Sequence, residues 1–356
     1  MSSPGSPAAA AGAPPQPTGD GPYPPRVASL GGQPTPSVDD PICGVFLFLF
    51  VCGAVLNMTI FQINRRRGHK FILSALCFGF CMARTVTCIM RIVWASRPNN
   101  VNIAIASNVF NAAGVLILFI VNLVLAQRLL RAYHPRFGWH RVVSYAYIFL
   151  YFSVIALLIM VITATVRSFF TLDPGILDIC RKIQLFSGTY LAVLAFLPIP
   201  IVLLAATWPR RDRPENFGTG RLRTKVLLVL FTSTILAFGA GFRVGGNYDT
   251  RPINAPGWFH HKAAFYCVNF VIEVIVVYLY ALMRFDRRFH IPNGSSAPGH
   301  YSGGVPKEEG IGGHINTEEA FGDDRSGTLQ GYASERWEKR AANDLEKQNR
   351  GDPIQR

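Results

Sequence analysis

The sequence predicts an all-α integral membrane protein: a seven-transmembrane helix bundle with disordered tails. Three observations carry that prediction. Half of the 356 residues are hydrophobic and only 16% are charged, whereas a soluble domain carries about 25% charge. The apolar excess lies between Pro41 and Met283 and falls into seven runs. Each run is near the ~20 residues needed to cross a hydrocarbon core. The two ends, by contrast, have a composition that cannot bury a core. Ten of the 24 prolines fall in residues 1–40, among Ala, Gly and Ser, and residues 295–356 hold eight Lys/Arg against eleven Asp/Glu.

The first span, 41–63, follows Asp39 and Asp40 and stops before Arg65, Arg66 and Arg67. The second, 71–95, ends before Arg97, and the third, 101–126, ends at Gln127-Arg128. The fourth, 142–164, lies between Arg141 and Arg167. The fifth, 183–207, follows Arg181-Lys182 and contains Pro198 and Pro200, which remove two backbone donors and predict a kink. The sixth and shortest, 225–242, stops before Arg243. The seventh, 262–283, runs from Lys262 into Arg284, Asp286, Arg287 and Arg288. The N-terminus lacks the pattern of a cleaved signal, so the first span is expected to act as the targeting signal. In the tail, Ser334–Arg350 predicts a short, marginal polar helix capped by Ser334.

The net charge of +14 sits beside the spans. That placement points to orientation and lipid headgroups, and away from nucleic acid. Seventeen Lys and Arg lie on the side of loops one, three and five and the tail, against eight on the other side. The expected topology is N-terminus outside and C-terminus cytosolic, at the plasma membrane. Two glycosylation sequons, at Asn57 and Asn293, should then stay bare, one inside a span and the other cytosolic. The seven cysteines show no metal spacing and read as small apolar residues. A disulfide from Cys180 to Cys43 or Cys267 is the alternative for that residue.

A charge inside a span is costly and faces a partner in the bundle. Arg84 in the second span and Glu273 in the seventh both come out near mid-depth, which predicts an intramembrane ion pair. Either it locks the two helices in register or it forms part of a switch. Arg91 is seven residues on and shares the face of Arg84, with no acid at its depth. With Asn108, Asn111 and Tyr190 it defines an expected outer cavity for a small or lipid-like ligand. The asparagines have interhelical hydrogen bonding as their alternative role. Trp258 and Phe259 read as an interfacial belt, and the adjacent His260-His261 lack a third metal ligand. No catalytic constellation, phosphate loop or metal motif is present, so no cofactor, metal or enzymatic activity is expected.

Some family resemblances bear on these expectations. The third span ends Gln127-Arg128-Leu129 where a G-protein-coupled receptor carries an acid-Arg-aromatic triplet, and Glu273 stands where a retinal protein needs lysine. The segment Lys262–Gly294 with Gly241-Phe242-Arg243 resembles a fungal seven-pass family catalogued as a domain of unknown function, some members of which are labelled receptor-like. That resemblance covers residues 41–294. A more distant one links the chain to the fungal Rta-type lipid-translocating exporters. Arg243-Val244-Gly245 and His290-Ile291-Pro292 replace two motifs of that group, an acid after the arginine and a His-Pro-Gly. The resemblances imply a receptor-like or sensory protein. A lipid or amphiphile exporter is the alternative, and a membrane scaffold acting through its tail is a second one. Membrane lipids and a cytosolic partner at the basic loops and tail are the expected partners.

Overall fold

The computed structural model describes residues 21–24, 27–69, 71–209, 214–253 and 255–303. Residues 1–20 and 304–356, including the expected Ser334–Arg350 helix, lie outside the described residues, as do Arg26, Lys70, Arg210, Arg211 and Arg213. Among the described residues, seven helices are long and apolar enough to cross a membrane. They are α1 (Pro36–Arg66), α2 (Ile72–Ser96), α3 (Val101–Tyr133), α4 (Arg141–Phe169), α5 (Pro174–Thr207), α6 (Leu222–Tyr248) and α7 (Lys262–Leu282). The chain is thus a multi-pass membrane protein.

Most of these helices outrun their apolar cores, because caps and prolines end a helix while hydropathy only marks its middle. α1 starts at Pro36, five residues before the expected Pro41, with proline at a first-turn position that needs no donor. α3 continues past 126 to Tyr133 and stops two residues before Pro135, consistent with the bias against helix just ahead of a proline. α5 starts at Pro174, nine residues before the expected 183; the Asp173 side chain caps it by accepting from the Gly175 N–H at 2.8 Å. Its charged Arg181 and Lys182 sit on the exposed face. The helix breaks at Leu197, directly before Pro198 and Pro200. α6 runs through Arg243 to Tyr248.

α1 packs on α2 and α7, α2 on α3, α4 on α5, and α5 on α6; α3 sits among α2, α4, α5 and α6. Phe50, Phe80 and Phe270 are fully buried where α1, α2 and α7 meet. α4 is peripheral and presents Tyr145, Phe149, Phe152 and Ile159 outward. In lipid such a face is at no disadvantage, since acyl chains are as apolar as the side chains. All seven cysteines are free, Cys180 included.

The bundle has two ends, the amino-end face at the start of α1 and the carboxy-end face at the end of α7. Part of the N-terminal segment expected to be disordered lies across the amino-end face. Tyr23 donates its N–H to the Phe169 carbonyl at 2.7 Å, and Ala28 to that of Arg251 at 2.9 Å. Gly31 makes the close turn over α7. Its φ is +79° and an added Cβ would lie 2.5 Å from the Phe265 ring, so only glycine fits. At the carboxy-end face the start of the tail also folds, with a helical turn at His300–Gly303 and a buried Tyr301.

Candidate functional site

A line of polar side chains follows α7 from end to end. Lys262, Tyr266, Glu273 and Tyr280 each bond to another helix. Tyr266, Glu273 and Tyr280 recur every seven residues, a spacing that shares one face in an unbroken α-helix. Between the first two lies a π-helical turn, Cys267–Val271. Such turns add a residue to the helix and recur at functional sites. The turn packs closely on α6, where a Cβ on Gly239 would lie 3.3 Å from the Val268 carbonyl. Within it, Asn269 donates to the Phe265 carbonyl at 3.0 Å while its Oδ1 is buried and unpartnered.

The middle of the bundle holds Arg84, Glu273 and Arg243. Arg84 binds Glu273 in a two-pronged fork: Nε donates to Oε2 and Nη2 to Oε1, both at 2.5 Å. Both side chains are 0% exposed. The remaining Arg84 nitrogen donates to Asn111, to Oδ1 at 3.0 Å and to its carbonyl at 3.1 Å. Gly114 makes room for the guanidinium, since a Cβ there would lie 3.3 Å from Arg84 Cζ. Phe80 and Phe270 flank it with ring centroids at 5.7 and 5.4 Å. Arg243 approaches Glu273 Oε1 at 3.6 Å, is 18% exposed, and donates Nε to the Gly239 carbonyl at 3.3 Å. Two guanidiniums share one carboxylate, so the cluster carries a net positive charge in a low-dielectric setting, where repulsion between the two arginines is poorly screened.

Arg91 lies nearer the amino-end face and does have an acid. Asp39, within the first turn of α1, is 0% exposed. It accepts from Arg91 Nε at 3.0 Å, from Lys262 Nζ at 2.5 Å and from the Tyr266 hydroxyl at 2.6 Å. The Thr35 N–H adds a fourth bond at 2.8 Å. Arg91 also donates Nη2 to the Gly31 carbonyl at 3.0 Å, and the Phe265 ring covers it at 4.3 Å. This knot ties α1, α2, α7 and the N-terminal segment together. The expected ligand cavity is therefore closed. The space bordered by Arg91, Asn108 and Asn111 measures about 10 Å³, room for one water. Tyr190 does not border it; its hydroxyl is 2.7 Å from that of Ser153 in α4.

Towards the carboxy-end face, Asn122 Oδ1 accepts from Thr232 at 3.1 Å and from the Tyr280 hydroxyl, whose oxygen lies 3.0 Å from Thr232 Oγ1. Below that, Asn64 donates to Asp286 at 3.0 Å and His69 meets His290 at 2.8 Å. Both of those histidines lie outside the spans. Burial, followed by nearby arginine and histidine charge, pushes His290 down to about 4. Burial and then Arg67 lower His69.

Seven spans and a continuous polar line through their interior define the class: a polytopic helical membrane protein with a charged centre. Residues 135–223 and 220–290 match the family described as a protein of unknown function (DUF3112). The match begins at Pro135, later than the 41–294 expected from resemblance. It includes Arg243, Lys262, Tyr266, Glu273 and Tyr280, while Asp39, Arg84 and Arg91 precede it. No curated protein and no solved structure matches the chain. Among the described residues no three His, Cys, Asp or Glu side chains are grouped to hold a metal.

Proposed function

We propose that the protein is a receptor-like, sensory membrane protein rather than an enzyme. Its N-terminus lies outside the plasma membrane and its carboxy-end face engages a cytosolic partner. The observation that carries this reading is the polar line of α7. It joins the Asp39–Arg91 knot at one face, the Arg84–Glu273–Arg243 cluster in the middle and the Asn122–Thr232–Tyr280 triad beyond. Buried ionic groups are costly unless paired. A shift of α7 that exchanges one arginine for the other on Glu273 gives two discrete packings, the element a switch requires. The input is release of the N-terminal segment from Arg91, which opens the closed outer site to a small or lipid-like ligand.

The test substitutes Asp39→Asn in the full chain in lipid nanodiscs and follows amide hydrogen exchange. The reading expects faster exchange at the amino-end face and also at residues 284–295 on the far face. A change confined to the amino-end face would overturn it. Liposomes carrying the protein should flip labelled lipid no faster than empty ones. Protein-dependent flipping would favour the exporter reading.

A further inference from the structure

The carboxy-end face contains a cleft that the chain fills with its own continuation. Its walls are Trp139, after the turn Pro135–Gly138, and Phe217, in the connection between α5 and α6. Tyr301 inserts between them, 5.6 Å from Trp139 and 5.5 Å from Phe217 by ring centroid, and is 4% exposed. Phe289 backs Phe217 at 6.2 Å. At the rim, Glu215 is fixed by its own N–H, which donates to the Ala132 carbonyl at 2.9 Å. One of its carboxylate oxygens accepts the Gly299 N–H at 2.8 Å and the other accepts the Tyr301 N–H at 3.2 Å.

The inserted segment is built as a unit. Ser295 donates its hydroxyl to the Pro292 carbonyl at 2.8 Å. The Ser296 N–H donates to His300 Nδ1 at 3.3 Å, and Gly299 supplies the left-handed turn at φ +90°. The result is a preformed turn offering one aromatic anchor and two backbone N–H groups. An aromatic ring in a desolvated pocket is the usual energetic centre of a protein interface. Backbone N–H donors to a carboxylate are independent of side-chain identity, so other turns of the same shape satisfy Glu215 equally well.

We propose that this cleft is a docking site for a partner protein segment with that chemistry, a turn bearing an aromatic residue and two backbone N–H donors. Residues 292–301 occupy it in cis, and a partner must displace them. The inference stands on the cleft alone and goes beyond the receptor-like reading. A tethered occupant acts at an effective concentration of about millimolar, so it excludes weak partners and yields to strong ones.

The experiment uses the full chain in lipid nanodiscs and a dye-labelled peptide of residues 292–303, read by fluorescence anisotropy. Tyr301→Ala vacates the cleft and is expected to bind the peptide about tenfold or more tighter than the unmodified chain. The same peptide carrying Tyr301→Ala, or a chain that also carries Glu215→Ala, should lose that gain. Equal binding by the unmodified and Tyr301→Ala chains overturns the proposal. If Tyr301→Ala does not fold, the isotope-labelled unmodified chain supplies the answer. Excess unlabelled peptide should speed exchange of its Gly299 and Tyr301 amides, and unchanged exchange overturns the proposal.

Discussion

Replacing Glu273 with Gln leaves Arg84 and Arg243 facing each other without their shared carboxylate. The bond lost is a two-pronged one, with both contacts at 2.5 Å and both side chains 0% exposed. Removing one partner of a buried pair costs about 3–5 kcal/mol, because the remaining charge stays buried. At about 2–4 °C per kcal/mol, the scale for domains of about 150–250 residues, the midpoint of thermal unfolding in detergent should fall by about 6–20 °C. Arg84→Gln should cost less, because Arg243 still faces the Glu273 carboxylate at 3.6 Å. Arg243→Gln should cost the least of the three, since its one contact to Glu273 is at 3.6 Å and its removal leaves the neutral, two-pronged Arg84–Glu273 pair. The double substitution Arg84→Gln with Glu273→Gln removes both charges and should recover about 1–3 kcal/mol relative to the sum of the singles. Denaturant unfolding of the purified protein measures the four free energies. A double variant as unstable as the two single losses combined refutes the pairing.

Further outcomes follow from other sites. Asp39→Asn weakens the bonds to Arg91 and Lys262 and should cost about 3–5 kcal/mol, with faster amide exchange at Gly31 and Gly32 by mass spectrometry. Asn122→Leu takes the acceptor from Tyr280 and Thr232 and should cost about 1–3 kcal/mol in the same unfolding assay. Gly114→Val forces Arg84 away from Asn111; its thermal midpoint should fall, and its loss combined with that of Arg84→Gln should be less than additive. His290 titrates at about 4 when folded against 6.5 ordinarily, so the unfolded chain binds more protons between those values. Stability should therefore decline as pH falls from 6.5 towards 4, and His290→Asn should flatten that decline.

Hydropathy and loop charge made the seven spans legible, because long apolar runs bounded by arginines have few other physical readings. Helix ends were less so. Asp173 and Pro174 start α5 on a cap outside its apolar run, and Pro135, not hydropathy, sets the end of α3. Depth matching brings Arg84 to the level of Glu273, and the two meet. Arg243 counts as a loop cation if α6 stops at Phe242, but α6 continues to Tyr248 and turns Arg243 towards Glu273. Asp39 reads as a topological marker until α1 is seen to begin at Pro36, which places it opposite Arg91. The seven-residue recurrence of Tyr266, Glu273 and Tyr280 was available in the sequence as a signal of one shared face. The π turn between the first two, and the folding of residues 27–35 over Arg91, depend on tertiary contacts that no local pattern carries.

The central claim is that the charged centre of the bundle sets the arrangement at its carboxy-end face. Spin labels at Arg66→Cys, the exposed end of α1, and Arg221→Cys, exposed before α6, report that arrangement, in a background where the partly or fully exposed Cys52 and Cys267 are serine. Pulsed electron resonance distances would be compared with and without Glu273→Gln in lipid nanodiscs. The account predicts a second distance population in the Glu273→Gln protein that is absent or minor with Glu273 intact. A single unchanged distance in a folded Glu273→Gln protein would contradict it, leaving the cluster as a lock between helices and nothing more.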